Sequence, residues 1–599
     1  MPHSMDAMSP HEEYSRRLES RRSNAARHDR SHRRLGNMRL LVAIAAAALA
    51  WLALAQGSIS GWWLLAPVGI FIVLAVAHDR VLRARKACER AAAYYERALA
   101  RLDNRWMGAG ETGDRFNDPS HPYAHDLDLF GSGSLFELLS AARTSIGEEV
   151  LAGWLRAPSP FDTLRERQAA VAELRGMLDL REDLAVLGED LRSGVHPEAL
   201  AAWGERAPLL KSRAARATAV FLTLGAIAGA VVWAVWGVRV PFFLVVLAEA
   251  GFMLLLRRHV ARVIQDVEAA AHELELLSLV LVRLEREQFS SPRLAALRAA
   301  LDTHGRPPSH RLSRLRTLAD LIDSRDNVVV RAIGPFVLYS VHLAYAVEAW
   351  RRESGPAVRR WTMAVGEMEA LSSLAGYAYE HPADPFPELE SGGPCFKGEG
   401  LGHPFLPEDR AVRNDVTLDG GVRVLVVSGS NMSGKSTLLR TVGVNAVLAQ
   451  AGAPVRAARL RISPLQPAAS IRVTDSLHAG SSRFYAEITR LRQIVDLTSG
   501  PLPVLFFLDE FLHGTNSHDR RIGAEAIVRG LVERGAIGFL TTHDLALAHI
   551  ADVLAPRAAN VHFEDRLENG KLHFDYRMRP GIVTKSNALE LMRSVGLEV

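Results

Sequence analysis

One short glycine-rich segment carries the residues whose types and spacing most clearly indicate chemistry. An apolar, β-branched run at 422–427 leads into the pattern Gly-x4-Gly-Lys-Ser, and a helical stretch at 437–450 follows. Glycines let backbone N–H groups curl around phosphate oxygens, and a helix N-terminus adds positive potential. This strand–loop–helix pattern predicts a triphosphate cradle. Its residues are Gly429, Ser430, Asn431, Met432, Ser433, Gly434, Lys435, Ser436 and Thr437.

Two side chains of the loop, together with two carboxylates downstream, suit a nucleotide and its metal. Lys435 would neutralise charge on the β- and γ-phosphates, and the Ser436 hydroxyl would ligate Mg²⁺. A second buried run at 504–508 ends in Asp509 and Glu510. We expect Asp509 to hold the metal through water and Glu510 to orient and polarise an attacking water. The set predicts ATP and Mg²⁺ as cofactors and ATP hydrolysis as the reaction.

A histidine follows a third predicted strand. The run at 536–540 ends in Thr541-Thr542-His543-Asp544. If this strand neighbours the other two, His543 would contact the γ-phosphate or the attacking water. An isolated histidine is more often structural, so the catalytic role of His543 depends on the resemblance described below.

The elements that position these residues indicate a multidomain chain. Ala, Leu, Glu and Arg recur at helical spacing through 79–380, and Pro and Gly residues mark a linker at 381–406. From 407 to 599, short β-branched runs alternate with helices, which is typical of a parallel sheet with helices on its faces. The chain is 599 residues long, enough for several separate cores.

Two long apolar blocks predict membrane hairpins. The first, 39–78, has no charged residue from 40 to 77 and contains turn chemistry at 56–61; the second, 217–256, is interrupted at 237–239 and carries Glu249. Basic residues flank both blocks on both sides, so these flanks should be cytoplasmic. We therefore expect a multi-pass protein of the inner (plasma) membrane whose ATPase domain is cytoplasmic. The alternatives are buried core helices and a cleaved signal peptide.

The N-terminal segment 1–38 is rich in arginine although the whole chain is nearly balanced, with 71 basic and 67 acidic residues. This segment is predicted to be a flexible cytoplasmic tail, with a nucleic-acid-binding arm as the alternative. Cys88 and Cys395 lie far apart, so neither a disulfide framework nor a zinc site is indicated.

Several strings in the C-terminal part together resemble the MutS family of DNA mismatch-repair and recombination ATPases. The Asn-Met pair before the second glycine of the loop is distinctive, and a weaker similarity extends upstream to Asp126. The strings lie at 430–437, 448–455, 479–487, 509–517, 542–543 and 576–581.

The resemblance implies a fold, further site residues and partners. The fold is a long-helix core and lever domain followed by an ABC-type P-loop α/β ATPase domain; here it would carry one membrane hairpin before the core and a second within it. Ser482 would reach the ATP of a second protomer in an ATP-dependent homodimer, and His543 would be the switch histidine. DNA is the implied partner.

The departures from the family pattern concern DNA. Nothing before Asp126 resembles the mismatch-reading domain, so mismatch recognition is not expected. The block 217–256 stands where the family inserts its DNA clamp, which suggests that a membrane anchor has replaced the clamp. The favoured function is a membrane-anchored, nucleotide-switched clamp on DNA. The alternatives are an ABC-type membrane ATPase acting on a non-DNA partner or transport substrate, and an ATP-binding scaffold, which Glu510 disfavours.

Overall fold

The structure is a computed structural model that describes residues 8–54, 60–303, 305–430, 432–472, 483–512, 515–568 and 571–583. The chain divides into two compact units. The first contains 1–140, 152–186 and 373–599, and the second contains 141–151 and 187–372. Each is described separately below.

Two long helices begin the first unit. Helix α1 spans Pro10–Leu54, and α2 spans Leu65–Leu102 after a 3-10 turn at Gly61–Leu64. Each contains a window long and apolar enough to cross a membrane. Large apolar side chains such as Leu41 and Trp51 are about two-thirds exposed, which is unusual for an aqueous surface. The turn predicted at 56–61 lies mostly outside the described residues.

The basic segment before this hairpin differs from the flexible tail that we expected. It is helical from Pro10 onward and is anchored by its first turns. Tyr14 and Leu18 lie one helical turn apart on the same face, and Tyr14 is fully buried against Tyr95 of α2. Arg17 also forms an ion pair with Asp179 at 2.5 Å. The arginine composition suggested a solvated tail, whereas the aromatic and aliphatic residues between the arginines hold the helix in place.

The described residues from 135 to 380 form helices and, apart from an isolated bridge between Thr303 and Arg306, no extended strand. This agrees with the helical composition of the segment. The helices are α3 (Leu135–Leu139), α4 (Ser145–Arg156), α5 (Phe161–Arg175), α6 (Leu178–Gly194), α7 (Pro197–Glu205), α8 (Arg213–Trp236), α9 (Val240–Glu285), α10 (Pro292–Leu301), α11 (Pro308–Asp323), α12 (Val328–Ile333) and α13 (Tyr339–Glu380).

Helices α8 and α9 form an antiparallel hairpin in the second unit, and both contain membrane-length apolar windows. Small residues allow them to approach closely. A Cβ atom on Gly229 would lie 2.9 Å from the Cα atom of Phe242, and one on Gly225 would contact Val245. Glu249 is only 2% exposed, so its carboxylate is covered by protein rather than placed on the exposed surface of the hairpin.

The C-terminal part of the first unit contains two sheets. The larger has the order β10-β9-β4-β8-β7-β6; its strands pair in parallel except β10, which is antiparallel to β9. The smaller has the order β1-β5-β2-β3. The strands are β1 (Glu388–Leu389), β2 (Phe396–Leu401), β3 (Asn414–Leu418), β4 (Val424–Ser428), β5 (Arg459–Ile462), β6 (Gln466–Ser470), β7 (Val504–Asp509), β8 (Ile537–Thr542), β9 (Ala558–Glu568) and β10 (Lys571–Pro580).

Four helices alternate with the strands of the larger sheet, as the sequence pattern predicts. They are α14 (Lys435–Ala451), α15 (Arg483–Leu497), α16 (Ser517–Glu533) and α17 (Leu545–Val553). Strands β4 and β8 are buried along their whole length, and β7 is buried up to its last residue. Strands covered on both faces are typical of a parallel α/β sheet.

A buried carboxylate in the second unit holds the start of α4. Glu369 of α13 is 5% exposed and accepts hydrogen bonds from the backbone N–H groups of Arg143 and Thr144 and from the Thr144 hydroxyl. Burial raises the pKa of Glu369 to about 7, although these hydrogen bonds oppose the rise. The side chain therefore changes its charge near neutral pH.

Replacing Glu369 with Gln should flatten the pH dependence of unfolding. The pKa of Glu369 in the folded state exceeds its ordinary value of 4.5. The protonated side chain therefore contributes its full stabilisation to the fold below pH 4.5, and this stabilisation is lost as the pH rises to about 7. The amide stays neutral, so the variant should not show this loss, which is at most about 3 kcal/mol. Thermal unfolding in detergent at about pH 5 and about pH 8 measures this loss of stability.

The exposed Glu198 of α7 provides the matched control, since Glu198→Gln removes one carboxylate without altering the buried network. Wild type and Glu198→Gln should share one pH slope. If Glu369→Gln has that same slope, the assignment is contradicted.

Candidate nucleotide site

The glycine-rich loop connects β4 to α14 and adopts conformations that favour glycine. Gly429 and Gly434 have φ angles of +155° and +103°, and a Cβ atom at Gly429 would lie 2.7 Å from the Ser433 hydroxyl. Helix α14 begins at Lys435, directly after the loop. The N–H groups of the first helical turn therefore open toward the loop, as an anion-binding site requires.

Lys435 is almost fully buried at the centre of the loop. Its Nζ donates hydrogen bonds of 2.9 Å to the carbonyl oxygens of Gly429 and Ser430, and it lies 3.1 Å from Oε1 of Glu510. A buried ammonium requires such partners, because removing a charge from water is costly. The three acceptors fix the lysine charge beside the space that the loop encloses.

The acidic strand end meets the loop from the other side. Strand β8 lies between β4 and β7, and since all three are parallel, their carboxyl ends share one edge of the sheet. Ser436 donates a 2.5 Å hydrogen bond to Oδ2 of Asp509, and Thr541 of β8 donates to Oδ1. Hydroxyl and carboxylate oxygens are ligands that Mg²⁺ prefers, so Ser436 and Asp509 fit the predicted metal.

Glu510 lies between the lysine and the histidine predicted from sequence. His543 Nδ1 is 3.5 Å from Oε1 of Glu510, and the Thr541 hydroxyl accepts a hydrogen bond from the Glu510 N–H group. Burial opposes ionisation, but the neighbouring Lys435 and His543 hold the pKa of Glu510 below its ordinary value. Glu510 is thus an anion at neutral pH, and it has a positive φ of 45° that turns the chain at the end of β7.

The structure brings together most of the residues predicted from sequence. Five of them, Lys435, Ser436, Asp509, Glu510 and His543, form the cluster described above. The hydroxyls of Ser430 and Ser433 are buried in the same loop and have no hydrogen-bond partner among the described residues, whereas Met432 is 83% exposed. Thr437 follows on α14. Asn431 and Ser482 lie outside the described residues.

A cavity of about 210 Å³ adjoins the loop. Its lining includes Gly434 and Thr437 together with His403, Val412 and Tyr576. The Tyr576 ring lies 3.1 Å from the position that a Cβ atom on Gly434 would take. Burial lowers the pKa of His403 to about 4, so this wall of the cavity is uncharged at neutral pH. An apolar pocket with aromatic walls beside a phosphate loop suits a flat ring.

Sequence reasoning missed residues that position the chemical groups. Thr541 bonds both carboxylate-bearing residues, yet a threonine at a strand end carries no signal by itself. Glu487 of α15 accepts a 2.7 Å hydrogen bond from the N–H group of Leu512, which fixes the backbone just after Glu510.

Asp126 holds the chain at the end of β6. Its carboxylate is 1% exposed and accepts hydrogen bonds from the N–H groups of Ile471 (2.8 Å) and Arg472 (2.6 Å). Arg490 of α15 donates to the carbonyl oxygens of Pro119, Ser120 and His121, within the same upstream segment. The segment 119–126 therefore holds both flanks of 473–482, the stretch that contains Ser482.

The parallel sheet carries a glycine loop at the end of one strand and paired carboxylates at the end of another. This arrangement defines an ATPase-type α/β domain. Comparison with known proteins identifies it further. Residues 425–598 match the family model described as MutS domain V. This C-terminal part of the chain is therefore similar to domain V of the MutS family.

Individual relatives agree with this assignment. The DNA mismatch repair protein MutS 2 of Halobacterium salinarum is 33% identical over 252 residues, covering 41% of this chain and 29% of the relative. The endonuclease MutS2 of Thermus thermophilus is 32% identical over 33% of this chain and 25% of its own length. The DNA mismatch repair protein MSH6 of Arabidopsis thaliana is 31% identical over 40% of this chain and 19% of its own length. The chain spans less than a third of the length of these curated relatives.

Replacing Asp126 with Asn should slow nucleotide turnover while leaving nucleotide affinity unchanged. The substitution weakens the hydrogen bonds to Ile471 and Arg472 but does not touch the glycine loop. We expect about a tenfold lower rate at saturating ATP, equivalent to about 1.4 kcal/mol. Steady-state ATPase assays and binding of a fluorescent ATP analogue measure the two quantities.

Asp496→Asn is the matched control, because Asp496 is exposed on α15 and, among the described residues, its carboxylate pairs with Arg492 one turn away. It should change neither quantity. A loss of affinity equal to the loss of rate in Asp126→Asn would contradict a positioning role.

Proposed function

We propose that this protein is a magnesium-dependent ATPase of the MutS type. The observation that carries the proposal is the meeting of Lys435, Ser436, Asp509 and Glu510 within hydrogen-bonding distance at one edge of the parallel sheet. The glycine loop would bind the phosphates, and Ser436 and Asp509 would hold Mg²⁺. The metal, when bound, would neutralise the charge that develops on the phosphates.

The remaining residues of the cluster have distinct roles in hydrolysis. Glu510, ionised at neutral pH, orients a water molecule and accepts its proton. Nucleotide phosphates would draw Lys435 away from Glu510, because they carry more negative charge than a single carboxylate. His543, which faces the same carboxylate, senses the presence of the γ-phosphate. The cavity beside Tyr576 and His403 would receive the base of the nucleotide.

The exposed apolar helices support a place for this ATPase at the membrane. Within the described residues, four helices are long and apolar enough to cross a bilayer. The apolar windows of α8 and α9 leave side chains such as Phe221, Leu247 and Leu255 more than 70% exposed, a cost that lipid would remove. Basic residues flank both hairpins, so the ATPase domain lies on the cytoplasmic side of the inner (plasma) membrane.

The partner that we propose is DNA, bound by a nucleotide-switched clamp. The support is the family, whose compared members are named as DNA mismatch repair proteins and endonucleases. Two protomers would pair around ATP through Ser482, and hydrolysis would reset the helical arms. One observation favours a second candidate, an ATPase with a non-DNA partner: the α8–α9 hairpin is apolar along its far half, where a DNA clamp would be basic.

Glu510→Gln should bind ATP normally and lose turnover. The amide preserves the shape of the side chain but cannot accept a proton from water, so we expect a decrease in kcat of about a hundredfold or more. Phosphate release and equilibrium binding of Mg-ATP measure the two effects. Glu399→Gln, an exposed substitution on β2, is the matched control and should match wild type. Hydrolysis at the wild-type rate in Glu510→Gln would remove this glutamate from the mechanism.

DNA should stimulate ATP hydrolysis, and the stimulation should fall steeply with salt. Phosphate contacts release counterions, so the apparent affinity for DNA decreases with the logarithm of salt concentration. The assay compares homoduplex, branched and mismatched DNA over a range of salt concentrations. If no DNA changes the rate while Glu510-dependent hydrolysis persists, the clamp is excluded and the non-DNA partner becomes the proposal.

A further inference from the structure

A short apolar segment in the second unit lies outside both hairpins predicted from sequence. It consists of α12 (Val328–Ile333) and the 3-10 turn Gly334–Val337, and it precedes α13. We call residues 328–337 the apolar loop. Its large side chains face outward: Val328 is 82% exposed, Val329 63% and Ile333 55%. Such a cluster needs an apolar environment that the described part of the chain does not supply.

The apolar loop contacts the part of the hairpin that would be inside a bilayer. The Phe336 ring lies 6.0 Å from the Phe242 ring, and the Thr223 hydroxyl donates to the carbonyl oxygen of Val337 at 3.3 Å. Thr223 is seven residues beyond Arg216, the last basic residue before the apolar stretch of α8, or about 10 Å along a helix. Phe242 packs beside Gly229, which is six residues or about 9 Å further along α8, so the loop lies at the depths that these contacts span.

Both ends of the apolar loop return to one side. Before it, Arg325 forms an ion pair with Glu268 at 3.0 Å, far along α9 beyond its apolar window. After it, the Tyr339 hydroxyl donates to the carbonyl oxygen of Leu321 on α11, which is the helix that precedes the loop. The chain thus enters and leaves at the same level.

The return is made by a sharp bend of 81° between the apolar loop and α13. At the bend Leu338 has a positive φ of 45°, which is rare for a residue with a side chain, and this side chain is fully buried. Burial of the leucine side chain offsets the conformational cost of this backbone geometry. The bend is therefore a fixed feature rather than a frayed helix end.

From these observations we propose that residues 328–337 form a re-entrant membrane element, whose partner is the acyl-chain region of the phospholipid bilayer. The proposal rests on the α8–α9 hairpin spanning the membrane, as proposed above. Helix and 3-10 turn satisfy much of the backbone polarity, as lipid requires. Arg331, exposed and nearer to the entry at Asn327 than Phe336 is, can extend its guanidinium to the headgroup phosphates.

Lipid contact can be measured site by site with a fluorophore and a quenching lipid. In a background with Cys88 and Cys395 replaced by serine, single cysteines are introduced by Ile333→Cys, Leu247→Cys and Leu321→Cys and labelled with NBD. Leu247 is 71% exposed within the proposed span of α9, and Leu321 is 40% exposed on α11 before the entry point. The full-length protein is reconstituted into phosphatidylglycerol–phosphatidylcholine liposomes with and without doxyl-labelled phospholipid.

The expected result is loss of NBD emission in doxyl liposomes at Ile333 and Leu247, and no loss at Leu321. Quenching at Leu247 without quenching at Ile333 would overturn the re-entrant element and leave the hairpin in place. Equal quenching at Leu321 and Ile333 would also overturn it, because the entry side would then lie in lipid as well. Absence of quenching at all three sites would refute the membrane span and the element together. Matching circular dichroism spectra establish that each variant is folded.

Discussion

The buried charge of Lys435 is the constraint on which the site depends. An ammonium removed from water must be surrounded by acceptors, and here the two loop carbonyls and Glu510 provide them. Because the lysine begins α14 and the glutamate directly follows β7, this pairing ties the loop after β4 to the end of a strand two positions away in the sheet. The Ser436–Asp509 hydrogen bond runs beside it, so the residues for phosphate, metal and water are aligned by one set of polar contacts.

Much of the nucleotide site could be predicted from the sequence because its signals are local. A glycine-rich loop, a strand and a helix lie within about thirty residues, and parallel strands bring their carboxyl ends to one edge. The contribution of Asp126 could not be predicted in this way. The donors to its carboxylate, the N–H groups of Ile471 and Arg472, lie about 345 residues downstream, and only the folded chain reveals that contact.

The same distinction between local and distant signals applies to the exposed apolar helices. Long uncharged runs predict the apolar halves of α1, α2, α8 and α9, whose lengths the structure defines. At the N-terminus the composition wrongly predicted a flexible tail, because arginines outnumber Tyr14 and Leu18, the residues whose side chains pack the first turns of α1 against the core. The apolar loop at 328–337 escaped notice since it is too short for a span and contains Arg331. The exposure of its side chains and its contact with Phe242, rather than its length, indicate that it could enter a membrane.

Helix α1 runs unbroken from Pro10 to Leu54, and this continuity has a mechanical consequence. The N-terminal part of α1 is packed through Tyr14, and Arg17 there forms an ion pair with Asp179. The C-terminal half of the helix is apolar. A stiff rod cannot change its inclination at one end alone. If the apolar half of α1 spans a bilayer, as proposed above, a change in bilayer thickness would also displace the packed polar end, so lipid would act on the unit that contains the nucleotide cluster.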